Sequence, residues 1–335
     1  MKNIVKRHQI ISGLLIFVVI IFSGFFVVSH GVYHRSLLAS VIEIYMVIID
    51  REKIYAEGDD YVENLELRAQ TNLEPYLKPE SVEMDVSYYY DYQHDMQVYH
   101  FNEEAPKDTL VIYYPGGGFV NDPLVYHWKI INKLCQEANV PVLMPVYLKT
   151  PNFDCQQSYE AVMKFYLDTV EDKDIKKIVF IGDSSGGNMS LVMAQLLRDD
   201  YPDVIQPSEL ILLSPWMDAS ADNDGIDIVD PHDPMLDKYG LVELGKLWAG
   251  ELDVHDPMVS PIYGTFENLG YITLFASTHD ILCLDDVLFS EMLTEQGIEH
   301  TLILEEGLNH PYVLYPIPEA EDAREVIVKA ILGEH

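Results

Sequence analysis

The sequence predicts an α/β fold: a mostly parallel, eight-stranded sheet with helices on both faces. Three observations carry that prediction. Short apolar runs rich in Val, Ile, Leu and Tyr recur from residue 82 onward, and helical stretches separate most of them. That alternation builds parallel sheets from crossover units. One run, Ile178–Ile181, passes through Gly182-Asp183-Ser184-Ser185-Gly186 directly into an apolar stretch from Asn188, so a buried strand turns at once into a helix. Hydrophobic residues make up 48% of the 335-residue chain, enough for a large core.

Taken in order, the chain begins with Ile10–Val28, nineteen residues without a charge, interrupted only by Ser12, Gly13, Ser23 and Gly24. A helix needs about 20 apolar residues to cross a bilayer. Lys2, Lys6 and Arg7 precede the run, and residues 1–30 contain no acid. The expectation is a transmembrane helix with its N-terminus in the cytoplasm and the rest of the chain outside the cell. A cleaved signal peptide is the alternative. Its apolar region is usually about 7–15 residues with small residues before the cut, which Val28-Ser29-His30 matches poorly. The expected division is a basic tail and anchor at 1–30, a helical cap or linker segment at 31–80, and the main domain at 81–335.

Val32–Leu73 mixes charges and apolar residues at helical spacing, in SLLASVIEIYMVIIDREKIY and YVENLELRAQTNLE, and predicts two helices that contribute to a lid. The first has a strongly apolar face at Ile42, Ile44, Val47, Ile48 and Ile49, which also suits a membrane surface. Val82–Tyr92 and Met96–Phe101 predict an antiparallel pair. Further strands are expected at Thr109–Tyr114, Pro141–Tyr147, Lys177–Ile181, Leu210–Leu213, Tyr271–Ala276 and Thr301–Leu304. Helices are expected at Tyr126–Ala138, Cys155–Val170, Asn188–Arg198, Asp286–Gln296 and Glu319–Leu332. The long interval between the strands at Leu213 and Tyr271 is rich in Asp and Pro, with an amphipathic helix near Asp237–Trp248. It reads as a cap insertion at about 219–257.

Charge and cysteines exclude several functions. With 55 acidic residues against 21 basic ones, the net charge is −34, a field that repels phosphate backbones, so no nucleic-acid partner is expected. Cys135, Cys155 and Cys283 have no metal or C-x-x-C spacing and are expected as buried free thiols.

In an open parallel sheet the ligand lies beyond the carboxyl ends of the strands. There Ser184 occupies the crowded turn between strand and helix, where its neighbours must be small. The strand ending at Tyr114 runs into Pro115-Gly116-Gly117-Gly118-Phe119, whose glycines let backbone N–H groups turn toward a developing oxyanion. Asp280 and His310 each follow a strand, giving the order Ser184, Asp280, His310. A neutral imidazole can take the serine proton while a carboxylate fixes its tautomer. His279 is the rival base, poorly placed beside Asp280. Asp285 and Asp286 are rival acids and read better as helix caps.

These motifs resemble the hormone-sensitive-lipase-like branch of the α/β-hydrolases, the family IV esterases. The family's G-D-S-A-G-G-N is Gly182–Asn188, its H-G-G-G-F is Pro115–Phe119, its S-P-W-x-D is Ser214–Asp218, and its D-P-x-x-S-P is Asp256–Pro261. Asp280-Ile281-Leu282, Asn309-His310-Pro311 and Tyr315–Glu319 are similar to acetylesterase and lipase relatives of Gram-positive bacteria. The resemblance implies a serine carboxylic-ester hydrolase acting on short- to medium-chain acyl esters, with no cofactor and no metal. It implies Ser184 as nucleophile, Asp280 and His310 as partners, and an oxyanion hole from the N–H groups of Gly117, Gly118 and Ser185. A silent hydrolase fold used as a surface binding protein, or a deacetylase or amidase with the same triad, are the alternatives. One departure stands out: Pro115 replaces the family's histidine, so any bond that side chain makes to the loop is lost.

Overall fold

Strands at the expected runs assemble into one sheet in the order β1-β2-β4-β3-β5-β6-β7-β8. The computed structural model describes residues 2–49, 59–172 and 174–334, with side chains from residue 16 onward except 49, 59 and 60. The strands are β1 Tyr88–Gln93, β2 Met96–Phe101, β3 Thr109–Tyr114, β4 Val142–Val146, β5 Lys177–Asp183, β6 Pro207–Leu213, β7 Tyr271–His279 and β8 His300–Asn309. β2 pairs antiparallel with both β1 and β4, and every other pairing is parallel. The first strand is shorter than the expected Val82–Tyr92. Val82 is buried in the core rather than paired.

The helices of the main domain are α4 Val125–Ala138, α5 Cys155–Thr169, α6 Ser185–Asp200, α7 Ile226–Val229, α8 Lys238–Ala249, α9 Cys283–Glu295 and α10 Pro318–Leu332. α5, α6 and α9 bury their apolar sides on one face of the sheet, with Val162, Met189 and Phe289 in that core. α4 and α10 cover the other through Trp128, Leu134 and Ile327. Strands buried on both faces explain the near-continuous apolar runs of β3, β5 and β6. Cys135, Cys155 and Cys283 are buried free thiols.

Ahead of the sheet lie α1 Lys2–Gly31, α2 Leu37–Ile49 and α3 Asp59–Thr71. Among the described residues no helix is long and apolar enough to cross a membrane, so the expected span at Ile10–Val28 is not supported. Residues 10–15 of that expected span lie outside the described side chains. The REKIY end of the first expected lid helix likewise falls outside the described residues. The two lid helices go to different places. α3 reaches the cap, where Tyr61 meets Tyr239 edge to face. α2 instead is tied to the C-terminal ends of β7 and β8: buried Arg35, just before it, bonds Glu43, Ser40 Oγ and the Gly307 carbonyl of β8, and Glu43 meets His279 of β7.

Candidate active site

The sheet brings four strand ends together. β5 ends at Asp183, and Ser184 turns the chain into α6 with φ 52° and ψ −124°, a conformation costly for a residue with a Cβ. Crowding enforces it. A Cβ on Gly182 would sit 2.1 Å from the Gly186 carbonyl oxygen, and one on Gly186 would sit 1.9 Å from that of Tyr114. The Ser184 N–H donates to the Leu213 carbonyl at 3.0 Å, and its carbonyl accepts from the Trp216 N–H at 2.9 Å. Ser184 is thereby locked by its backbone to the end of β6 and the residues just after it.

Asp280 follows β7 and His310 follows β8. His310 Nδ1 meets Asp280 Oδ2 at 2.7 Å, with both residues buried. The other Asp280 oxygen accepts the Leu282 N–H at 2.9 Å. A proton held on Nδ1 by the carboxylate leaves the lone pair on Nε2, the form needed to accept a serine proton. Burial alone would lower the His310 pKa, but Asp280, with Asp233 and Asp183 beyond it, raises it above the usual histidine value.

The rival groups lie elsewhere. His279 Nδ1 faces Glu43 of α2 at 3.2 Å. Asp285 and Asp286 do not cap α9, contrary to the sequence expectation. They sit inside its first turn, after an N-cap position filled by Leu282, where burial rather than solvent surrounds them. Asp285 accepts a bond from Asn223. Asp286 has both oxygens buried without a partner, and burial, then Asp280 and Asp285, push its carboxyl well above the usual range.

The glycine loop after β3 is fastened at both its ends. Tyr147 OH donates to the Pro115 carbonyl at 2.7 Å, the Gly116 N–H to Asp183 Oδ1 at 3.1 Å, and Thr150 N–H and Oγ1 to the Phe119 carbonyl at 2.9 and 3.0 Å. Gly117 and Gly118 have φ of 138° and 62°, values that glycine adopts readily because it has no Cβ. Among the described residues, the N–H groups of Gly117, Gly118 and Ser185 have no protein acceptor. Three such donors near a serine are suited to stabilising an oxyanion. The cap closes over this loop. The Phe119 ring stacks on Trp248 of α8 at 3.7 Å and 3°, and Leu244 Cδ1 approaches Gly118.

Two contributors escaped the sequence reading. His127 of α4 bonds Asp183, and Asp233 of the cap bonds the N–H of Ile281. Neither lies in a recognisable motif, and both act across long sequence separations. Among the described residues no cluster of His, Cys, Asp or Glu is arranged to hold a metal ion.

Comparison with known proteins gives consistent results. A model of the alpha/beta hydrolase fold family matches residues 111–314. A triacylglycerol lipase of Mycobacterium tuberculosis is 25% identical over 220 residues, 65% of this chain and 45% of that protein. The chain thus spans less than half the length of that relative. A crystal structure of a Staphylococcus aureus protein described as an esterase superposes with TM-score 0.80 at 27% identity, covering 86% of this chain and 98% of its own. A bacterial esterase of the hormone-sensitive lipase family superposes with TM-score 0.73, covering 86% and 96%, at 19% identity, a likeness of fold alone.

Proposed function

The chain belongs to the α/β-hydrolase fold family and carries the motifs of its hormone-sensitive-lipase-like esterase branch, and on that premise we propose that it hydrolyses carboxylic esters through an acyl-enzyme on Ser184. The observation that carries this reading is the 2.7 Å bond between His310 Nδ1 and Asp280 Oδ2, taken together with a strained serine at the end of β5. Ser184 Oγ attacks the ester carbonyl as His310 Nε2 takes its proton, and the negative oxygen is received by the N–H groups of Gly117, Gly118 and Ser185. The imidazolium, stabilised by Asp280, returns the proton to the leaving alkoxide. Water activated by His310 then releases the acid and regenerates the serine.

Short- to medium-chain acyl groups are the proposed substrates, on the resemblance of the motifs to the hormone-sensitive-lipase-like esterases. Rates for p-nitrophenyl acetate, butyrate and decanoate on the full chain, beside Ser184→Ala, test the reading. Fast acetate and butyrate turnover that is lost with Ser184 is expected. Turnover that survives Ser184→Ala, or a wild type that cleaves none of the three, overturns it.

A membrane tether with the hydrolase outside the cell is also proposed. Its support is the basic flank before the apolar run and the exposure of Ile16, Phe17, Val18, Val19, Ile20 and Ile21 on α1, each at least 55% exposed. Fractionation of cells, with protease added to intact protoplasts, tests it. A soluble protein overturns it.

A further inference from the structure

The buried carboxylate of Asp183 joins the nucleophile turn to the oxyanion loop. Its Oδ1 accepts the Gly116 N–H at 3.1 Å and Tyr113 OH at 2.9 Å, and its Oδ2 meets His127 Nε2 at 3.1 Å. Burial alone would raise the Asp183 pKa, but the pairing with His127 and the bonds from Tyr113 and Gly116 outweigh it and lower it. A carboxylate this enclosed keeps one orientation only while its donors keep theirs.

His127 is itself fixed. Its Nδ1 accepts the Leu124 N–H at 2.7 Å, at the start of α4, so the proton sits on Nε2 and points at Asp183. His127, Tyr113 and Asp183 are all buried. The loop has no side-chain donor of its own at residue 115, because proline supplies none. The first loop amide therefore depends on Asp183, and Asp183 depends on groups from α4 and β3.

We propose that His127 is a positioning residue that aligns the oxyanion loop through Asp183. This rests on the reading of Ser184 and the loop as the reacting centre. Misplacement of such donors by about 1 Å can cost on the order of 100-fold in rate, and the loss falls on the transition state rather than on substrate binding. His127→Leu removes the donor. His127→Gln retains an amide N–H for Asp183 and an oxygen for the Leu124 N–H.

The experiment measures kcat and KM on p-nitrophenyl butyrate for the full-length wild type, His127→Leu, His127→Gln, Tyr113→Phe and Ser184→Ala, with thermal melts of each. The expected result is a fall in kcat of about 10- to 100-fold for His127→Leu with KM within threefold, and recovery to within several-fold of wild type in His127→Gln. Tyr113→Phe, which deletes a second bond to Asp183 without touching His127, should also lower kcat at near-constant KM. It decides the matter if His127→Leu does not fold. Activity lost with Ser184 but unchanged in His127→Leu, or in Tyr113→Phe where the leucine variant does not fold, overturns the positioning role alone. A glutamine variant no better than the folded leucine variant overturns it too. Activity that survives Ser184→Ala overturns the serine reading beneath it.

Discussion

The carboxylate of Asp233 accepts the backbone N–H of Ile281 at 2.9 Å, so the cap insertion is hydrogen-bonded to the residue that follows Asp280. Its other oxygen accepts the N–H groups of Met235 and Leu236 at 2.8 Å each. One buried side chain therefore folds the cap turn and ties it to the acid of the His310 pair. Burial, then Asp280, lifts the Asp233 carboxyl to about 6 against the pull of those amides.

Asp233→Asn tests this link through the pH profile. His310 must be neutral to accept a proton, so kcat/KM falls as pH drops through its raised value. Asp233 is one of the negative groups that raise it, after Asp280. Removing that charge should move the acid limb to lower pH. Stability should fall by about 1–3 kcal/mol, because an amide cannot accept at both positions. An acid limb that stays in place shows that Asp233 serves the cap alone.

Arg35→Ala should be among the costlier changes outside the strand ends. The guanidinium side chain is 4% exposed, pairs with Glu43 and reaches the Gly307 carbonyl, three residues before His310. Deleting one partner of such a pair costs about 3–5 kcal/mol, and Glu43, only partly buried, argues for the lower end. Urea denaturation measures it. The double change Arg35→Met with Glu43→Gln should recover part of the loss, since it leaves no carboxylate that has lost its guanidinium and keeps only His279. Failure to recover would assign the cost to packing instead.

Ser184→Gly should make the protein more stable while removing turnover. At φ 52° and ψ −124° the serine bears a strain of about 1–3 kcal/mol, and glycine adopts this geometry freely at an entropic cost of about 0.5–1 kcal/mol. A gain of about 1 kcal/mol in chemical denaturation is expected, with Ser184→Ala near wild type because it keeps the strain. A glycine variant less stable than the alanine one contradicts the strain assignment.

The strands were legible because β3, β5 and β6 lie buried on both faces, and burial on both faces writes an unbroken apolar run. Boundaries were less so. Ser277–His279 extend β7 and Glu305–Asn309 extend β8 although both tails are polar, since the parallel partner strand rather than composition prolongs them. The strand-end positions of Ser184, Asp280 and His310 were readable because each directly follows a strand. His127 and Asp233 were not. Each meets its partner only when helix and cap fold back over the sheet, and the separations are 56 and 48 residues. Asp286 was misread for a related reason: an acid at a helix start looks like a cap until burial is known.

Pro115→His addresses the one position where the chain departs from the motif it otherwise carries. Pro115 is buried, its carbonyl accepts Tyr147 OH, and Gly186 packs against its backbone. The next amide, on Gly116, is already satisfied by Asp183. The structure thus presents no missing bond for a histidine to make, and an imidazole placed here loses its hydration without a partner. It also frees a φ that proline holds fixed, in a loop whose glycines are costly to order. A several-fold fall in kcat/KM on a short ester is expected, with stability lower by about 1–3 kcal/mol. A several-fold gain would mean that the loop lacks a brace after all. Combined with His127→Leu the two outcomes separate further. If His127 acts through Asp183, the new histidine cannot replace it, and the double variant should be slower than either single one.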